Sequence, residues 1–155
     1  MMSSFYAGVG SRQTPVEILE IFKSLAMKYE LQGKILRSGR AAGADSAFES
    51  GVLKDSHMEL FVASDATPEA MKLAAKYHPA WYRCNNYVRK LHARNALILL
   101  GKDLQTPVDF IVCWTPNGRI TGGTGQALRM AIDYGIPVIN YGDLKLVQRQ
   151  LELDL

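Results

Sequence analysis

The chain has 155 residues, 48% of them hydrophobic and 21% charged, with a formal net charge of +3. That length and balance fit one domain with a full apolar core and exclude a disordered or low-complexity chain. No apolar run approaches the roughly 20 residues needed to cross a bilayer. The opening MMSSFYAGVGSR lacks the basic-then-apolar layout of a secretory leader, so a cytoplasmic protein with no membrane partner is expected.

Strand-like apolar runs alternate with helical periodicity, the pattern of βαβ units in a parallel sheet. The first strand is expected over residues 5–9. Thr14 is expected to cap the next helix, with Pro15 in its first position and Glu17 completing a capping box. Ile18, Phe22, Leu25 and Tyr29 recur on one helical face, and Gly33 ends it. A second strand over 34–37 leads into the small-residue turn SGRAAGAD and a helix over 46–53. A third strand covers 58–63. Thr67 and Pro68 open a helix reaching about residue 78, and an interrupted helical stretch covers 82–100. The fourth strand, 108–114, contains the apolar run DFIVCW. TPNGRITGGTG follows, then a helix over 126–134 stopped by Gly135, a fifth strand over 137–141 and a short closing helix. The expected fold is α/β, Rossmann-like and doubly wound. It has a mainly parallel sheet with helices on both faces, in a single domain over 1–155.

Right-handed crossovers bring successive strand-to-helix turns to one edge of such a sheet, where ligands of open α/β folds bind. Three of these turns are rich in small residues. The first holds Gly8, Gly10, Ser11 and Arg12, where a phosphate can approach the backbone and a helix start. The second holds Ser38, Gly39 and Asp45; Asp45 is suited to cap a helix, to contact a ligand, or both. The third, Gly122, Gly123, Thr124 and Gly125, follows the apolar fourth strand and is the strongest local phosphate-site signal. Arg94 and Asn95 add a cation and an amide ahead of that strand. Asp45 and Glu49 are the carboxylates available if the chain is hydrolytic.

From 70 to 102 there is no acidic residue, but Lys72, Lys76, Arg83, Arg89, Lys90, Arg94 and Lys102 all occur there. Tyr77, Trp81, Tyr82 and Tyr87 are interleaved with them, a mixture that suits a phosphate-bearing ligand with stackable rings, or single-stranded DNA. Cys113 reads as a buried small hydrophobe. Cys84 has no second cysteine or histidine at ligand spacing, and His57, His78 and His92 are scattered, so neither a metal site nor a cofactor is expected.

Four segments, YAGVGSR, SGRAAGADSAFE, LHARN and GGTGQALRMA followed by GIPVIN, together resemble the SLOG superfamily. That superfamily includes the DNA-processing protein A family (DprA), the Lonely Guy phosphoribohydrolases and nucleotide-sensing domains of bacterial defence systems. The layout is similar to small DprA-like proteins common in phages. The resemblance implies a nucleotide or ADP-ribose-like signal as ligand, sensed or sequestered, for example in phage counter-defence. Gly8, Gly10, Ser11 and 122–125 would hold phosphate, Arg12 and Arg94 would neutralise it, and Asp45 would take a ribose hydroxyl or base edge. It also implies self-association, for which the apolar stretch 96–100 is a candidate. In the Lonely Guy motif a glutamate follows the glycine turn. Here Gln126 and Arg129 stand in that region, so hydrolysis of a nucleotide N-glycosidic bond would need Asp45 or Glu49. DprA-like binding of single-stranded DNA is the further alternative.

Overall fold

The computed structural model describes residues 4–153. Its elements are β1 (Ser4–Gly8), α1 (Val16–Leu31), β2 (Lys34–Ser38), α2 (Ala44–Ser50), β3 (Met58–Leu60), α3 (Pro68–Ala75), α4 (Asn86–Leu100), β4 (Phe110–Cys113), α5 (Gly122–Asp133), β5 (Val138–Asn140) and α6 (Leu144–Leu153). The strands form one sheet in the order β3-β2-β1-β4-β5, with every pairing parallel. The order reverses between β1 and β4, so the fold is doubly wound, as the alternating pattern predicts.

Strand alternation makes β1 serve two cores. Tyr6 packs into a cluster with Phe22 of α1, Leu36 of β2 and Phe48 of α2. Ala7, its neighbour, faces the opposite cluster with Leu97 of α4 and Met130 of α5. Helices therefore cover both faces, and the central strands are buried on both sides. The stretch 96–100, a candidate self-association surface from sequence, lies wholly inside the second cluster. Its apolar run is core, and it gives no support to self-association.

Several helix boundaries differ from the sequence reading for identifiable reasons. Thr14 does not cap α1. Its hydroxyl donates back to the Ser11 carbonyl at 2.6 Å, and Pro15 occupies the cap position without a side-chain bond. β3 stops at Leu60 because the chain turns into a 3-10 segment at 63–65, where the Asp65 carboxylate accepts the Val62 N–H at 2.8 Å. Thr67 does cap α3, accepting from the Ala70 N–H at 3.1 Å. The stretch 82–100 divides into a 3-10 turn over 81–83 and α4, which is capped by Asn85 accepting from the Val88 N–H at 2.9 Å. α5 begins at Gly122 instead of residue 126, so the glycines form the first turn of the helix and not a loop before it.

Candidate functional site

The turns after β1 and β2 and the start of α5 converge where the strand order reverses. There a cleft of about 350 Å³ opens at the carboxyl edge, near the lower end of the range for small-molecule sites. Val9, Gly10 and Arg12 line it from the first turn, Ala41 and Asp45 from the second, and Gly123, Thr124 and Ala127 from α5. α4 forms the remaining wall with Val88, Leu91, His92, Arg94 and Asn95. Tight backbone approach makes this convergence possible. Gly43 has φ +86°, and a Cβ there would stand 2.9 Å from the Arg12 Cα and the Ser11 carbonyl oxygen. The first two turns thus touch through a position only glycine fills without strain.

Asp45 and Arg94 form the charged centre. Asp45 is 3% exposed and sits just inside α2, whose cap position is taken by Gly43. Its carboxylate accepts from the Ala41 N–H at 3.3 Å and is hydrogen-bonded by the Gly39 and Gly10 backbone. Burial raises its pKa to about 6, against the pull of the Arg94 guanidinium and those N–H groups. Arg94 donates to the Gly39 carbonyl at 3.1 Å and to Asn95 Oδ1 at 3.3 Å, while its Nε is buried without a partner. Gly39 lies between the two charges. A Cβ there would meet the Arg94 guanidinium and the Asp45 carboxylate, each at 3.0 Å. An arginine cannot give up its charge to relieve incomplete hydrogen bonding, so this is an anion-seeking group held on the cleft wall.

Asn95 lines the cleft, but its amide is committed. It donates to the Gly123 carbonyl at 3.3 Å and to Gln126 Oε1 at 3.1 Å. Gln126, fully buried, donates in turn to the Ala74 carbonyl at 3.4 Å. This chain of amides fixes the N-terminal turn of α5 against α4 and α3. Gly123 and Thr124 of the first turn of α5 line the same cleft as Arg94, and a helix start offers unpaired N–H groups and a positive dipole end.

Not every residue singled out from sequence reaches the cleft. Gly8 packs under Phe48, whose ring a Cβ would meet at 2.5 Å. Ser38 donates to the Gly8 carbonyl at 2.6 Å and ties β2 to β1. Ser11 is spent on its own turn, its Oγ accepting from the Gln13 N–H at 3.0 Å. Gly125 is buried against Ile120, and Gly122 borders open space. Glu49 lies one turn beyond Asp45, in a separate depression with Arg40, Asp55, Met58 and Leu60. Its carboxylate is 3.8 Å from Arg40 Nε. Burial, then the Asp45 charge, raise its pKa to about 7. Arg129, which the Lonely Guy resemblance sets near the chemistry, does not line the cleft; its Nε donates to the Tyr77 carbonyl at 2.7 Å.

Sequence reasoning missed the apolar wall of Val9, Val88, Leu91 and Ala127: Val88 lies outside every motif, and the other three lie inside motifs as apolar residues with no ligand chemistry of their own. It also missed His92, which stands beside Arg94 in LHARN but at no recognisable ligand spacing. Burial first, and then the neighbouring His78, hold His92 down to about 4, so its ring is neutral at physiological pH. The donor atoms of His78, Cys84 and His92 lie within 4.8 Å of one another, the grouping among the described residues with the chemistry to hold a metal ion. Two of the three are already engaged locally. The Ala80 N–H donates to His78 Nδ1 at 3.0 Å, and Cys84 Sγ lies 3.6 Å from His78 Nε2.

Fold and cleft define the class: an α/β, Rossmann-like protein with a cationic cleft at the switch in strand order. Among known proteins the chain matches no family model, no curated protein and no solved structure. No helix among the described residues is long and apolar enough to cross a membrane.

Proposed function

We propose that this chain binds a nucleotide or nucleotide-derived small molecule through its phosphate, and that it senses or sequesters that ligand. The observation that carries the reading is the shared cleft of Gly10, Arg12, Arg94 and the first turn of α5. Backbone N–H groups at a helix start and two guanidinium groups are the standard means of holding phosphate. Asp45, the carboxylate in the same cleft, suits a ribose hydroxyl. Calorimetry with a panel of nucleotides tests the proposal, together with mass spectrometry of small molecules released on denaturation. Arg94→Ala should weaken binding by about 1.5–3 kcal/mol, the range for a hydrogen bond to a charged group. Unchanged affinity in that variant would overturn it.

A second reading, hydrolysis of a nucleotide N-glycosidic bond, is favoured by Asp45. Its carboxyl, with pKa about 6, can hold a proton for a leaving base or stabilise an oxocarbenium-like sugar. Arg129, bonded to Tyr77, does not oppose that charge from within the cleft. Free base released over multiple turnovers and lost in Asp45→Asn would establish turnover; intact ligand after long incubation would leave binding alone. Affinity for single-stranded DNA that falls steeply with salt would move the reading to nucleic acid.

A further inference from the structure

Four aromatic residues stand in the basic segment ahead of α4 and in its first turn, and three have a defined partner. Tyr77 donates to the Asp133 carboxylate. Trp81 lies under the Arg89 guanidinium at 5.4 Å, and Tyr82 has Arg83 over its ring at 5.6 Å. Tyr87 has no hydrogen-bond, ring or cation partner among the described residues, and 63% of it is exposed. An exposed aromatic ring is ordinary by itself; its position is what distinguishes this one.

Tyr87 sits in the first turn of α4, whose cleft wall is built from Val88, Leu91, His92, Arg94 and Asn95. Residues 87, 91 and 94 recur at i, i+4 and i+7, one helical stripe. Tyr87 lies within electrostatic reach of the Arg94 guanidinium. Along this stripe the helix surface changes character, from the exposed Tyr87 ring just outside the cleft lining, through Leu91, to the Arg94 guanidinium, with Val88 adding to the apolar part of the wall. Seven residues of helix separate the two ends by about 10 Å, which leaves room for a sugar between a ring at one end and a phosphate at the other. α4 also has no acidic residue in its first turn, so no carboxylate there competes for the position.

We propose that Tyr87 is the stacking platform for the nucleobase, and that the α4 wall reads the ligand from base to phosphate. The ligand class is a nucleotide whose base lies at the mouth of the cleft, against an aromatic face and not in a deep pocket. Stacking accepts any base, because every base presents a π face. Selectivity among bases should therefore be weak, and selectivity for nucleotide over sugar phosphate strong.

This inference rests on the phosphate-binding reading, and the test separates the two. The intact chain is titrated with a nucleoside 5′-monophosphate and with ribose 5-phosphate, as wild type, Tyr87→Ala and Tyr87→Phe. Tyr87→Ala should weaken the nucleotide by about 5- to 100-fold, the usual loss of one base–aromatic stack. Ribose 5-phosphate should be unaffected, and Tyr87→Phe should bind like wild type. Because the side chain is exposed, melting temperatures of the variants should match wild type. Equal wild-type affinity for the two probes, or a Tyr87→Ala loss shared by both, would overturn the base platform and leave the phosphate site standing. Binding of neither probe by wild type would overturn both.

Discussion

At the residue scale, burial sets the chemistry of Asp45. Its folded pKa of about 6 lies above its ordinary 3.8, so the folded chain holds this proton where the unfolded chain has released it. The sign follows directly: stability from this group is complete below about pH 4 and is lost as pH rises to about 6. A difference of that size between folded and unfolded chain is worth on the order of 3 kcal/mol. The charges facing Asp45 are Arg94 from α4 and Glu49 one turn along α2, and Glu49 itself faces Arg40. Glu49, raised to about 7, acts in the same direction as Asp45. His92, held neutral down to about 4, acts in the opposite one. The informative quantity is therefore the difference between wild type and Asp45→Asn, in which His92 cancels. Urea unfolding from pH 7 to pH 4 should show wild type gaining on the variant through that window. Parallel stability profiles would show that the Asp45 carboxyl is not strained by burial.

At the element scale, two glycines from the same sequence argument have different physical roles. Gly8→Ala would drive a methyl into the Phe48 ring, which is itself stacked on Phe22 at 4.4 Å and cannot yield. It should destabilise the fold by about 1–3 kcal/mol. Gly123→Ala meets nothing within 4 Å and lies in a helical turn, so it should leave stability unchanged or raise it by up to about 1 kcal/mol. Under the proposed function the same methyl would stand in the path of the phosphate to the α5 backbone, so nucleotide affinity should fall. Thermal melts and calorimetry on the two variants read both effects, and a Gly123→Ala protein that binds as tightly as wild type would exclude backbone contact there. The contrast marks how far the sequence could be read. The alternation of strand and helix signals gave the parallel sheet, its two-sided cover and the edge where the turns meet, because those follow from local periodicity and a fixed crossover hand. The turn residues at the cleft were legible for the same reason. Which of them face a ligand was not, since that depends on packing between distant segments: Phe48 claims Gly8, the Gly8 carbonyl claims Ser38, and Tyr77 claims Arg129. The apolar α4 wall was hidden because Val88 and Leu91 read like any core residues.

At the scale of the whole molecule, β1 couples everything. Tyr6 belongs to one core and Ala7 to the other, and the cleft draws on the turn that follows β1 and on α2, α4 and α5 together. Neither core can dissolve without removing a face of the central strand, so the chain should unfold in one transition. Phe22→Ala, in the core under α1, and Leu97→Ala, in the core under α4, should cost about 3–5 and 2–5 kcal/mol respectively. Both should lower the same midpoint, with far-ultraviolet circular dichroism and tryptophan fluorescence remaining superimposable. A ligand bound as proposed would touch elements of both cores, so it should stabilise the transition as a unit. At about 100 times its Kd a nucleotide should add about 2.7 kcal/mol. For a chain of this size that raises the Tm by roughly 5–11 °C. Two separate midpoints in Phe22→Ala, or a ligand that moves one spectroscopic probe without the other, would show that the two faces fold independently.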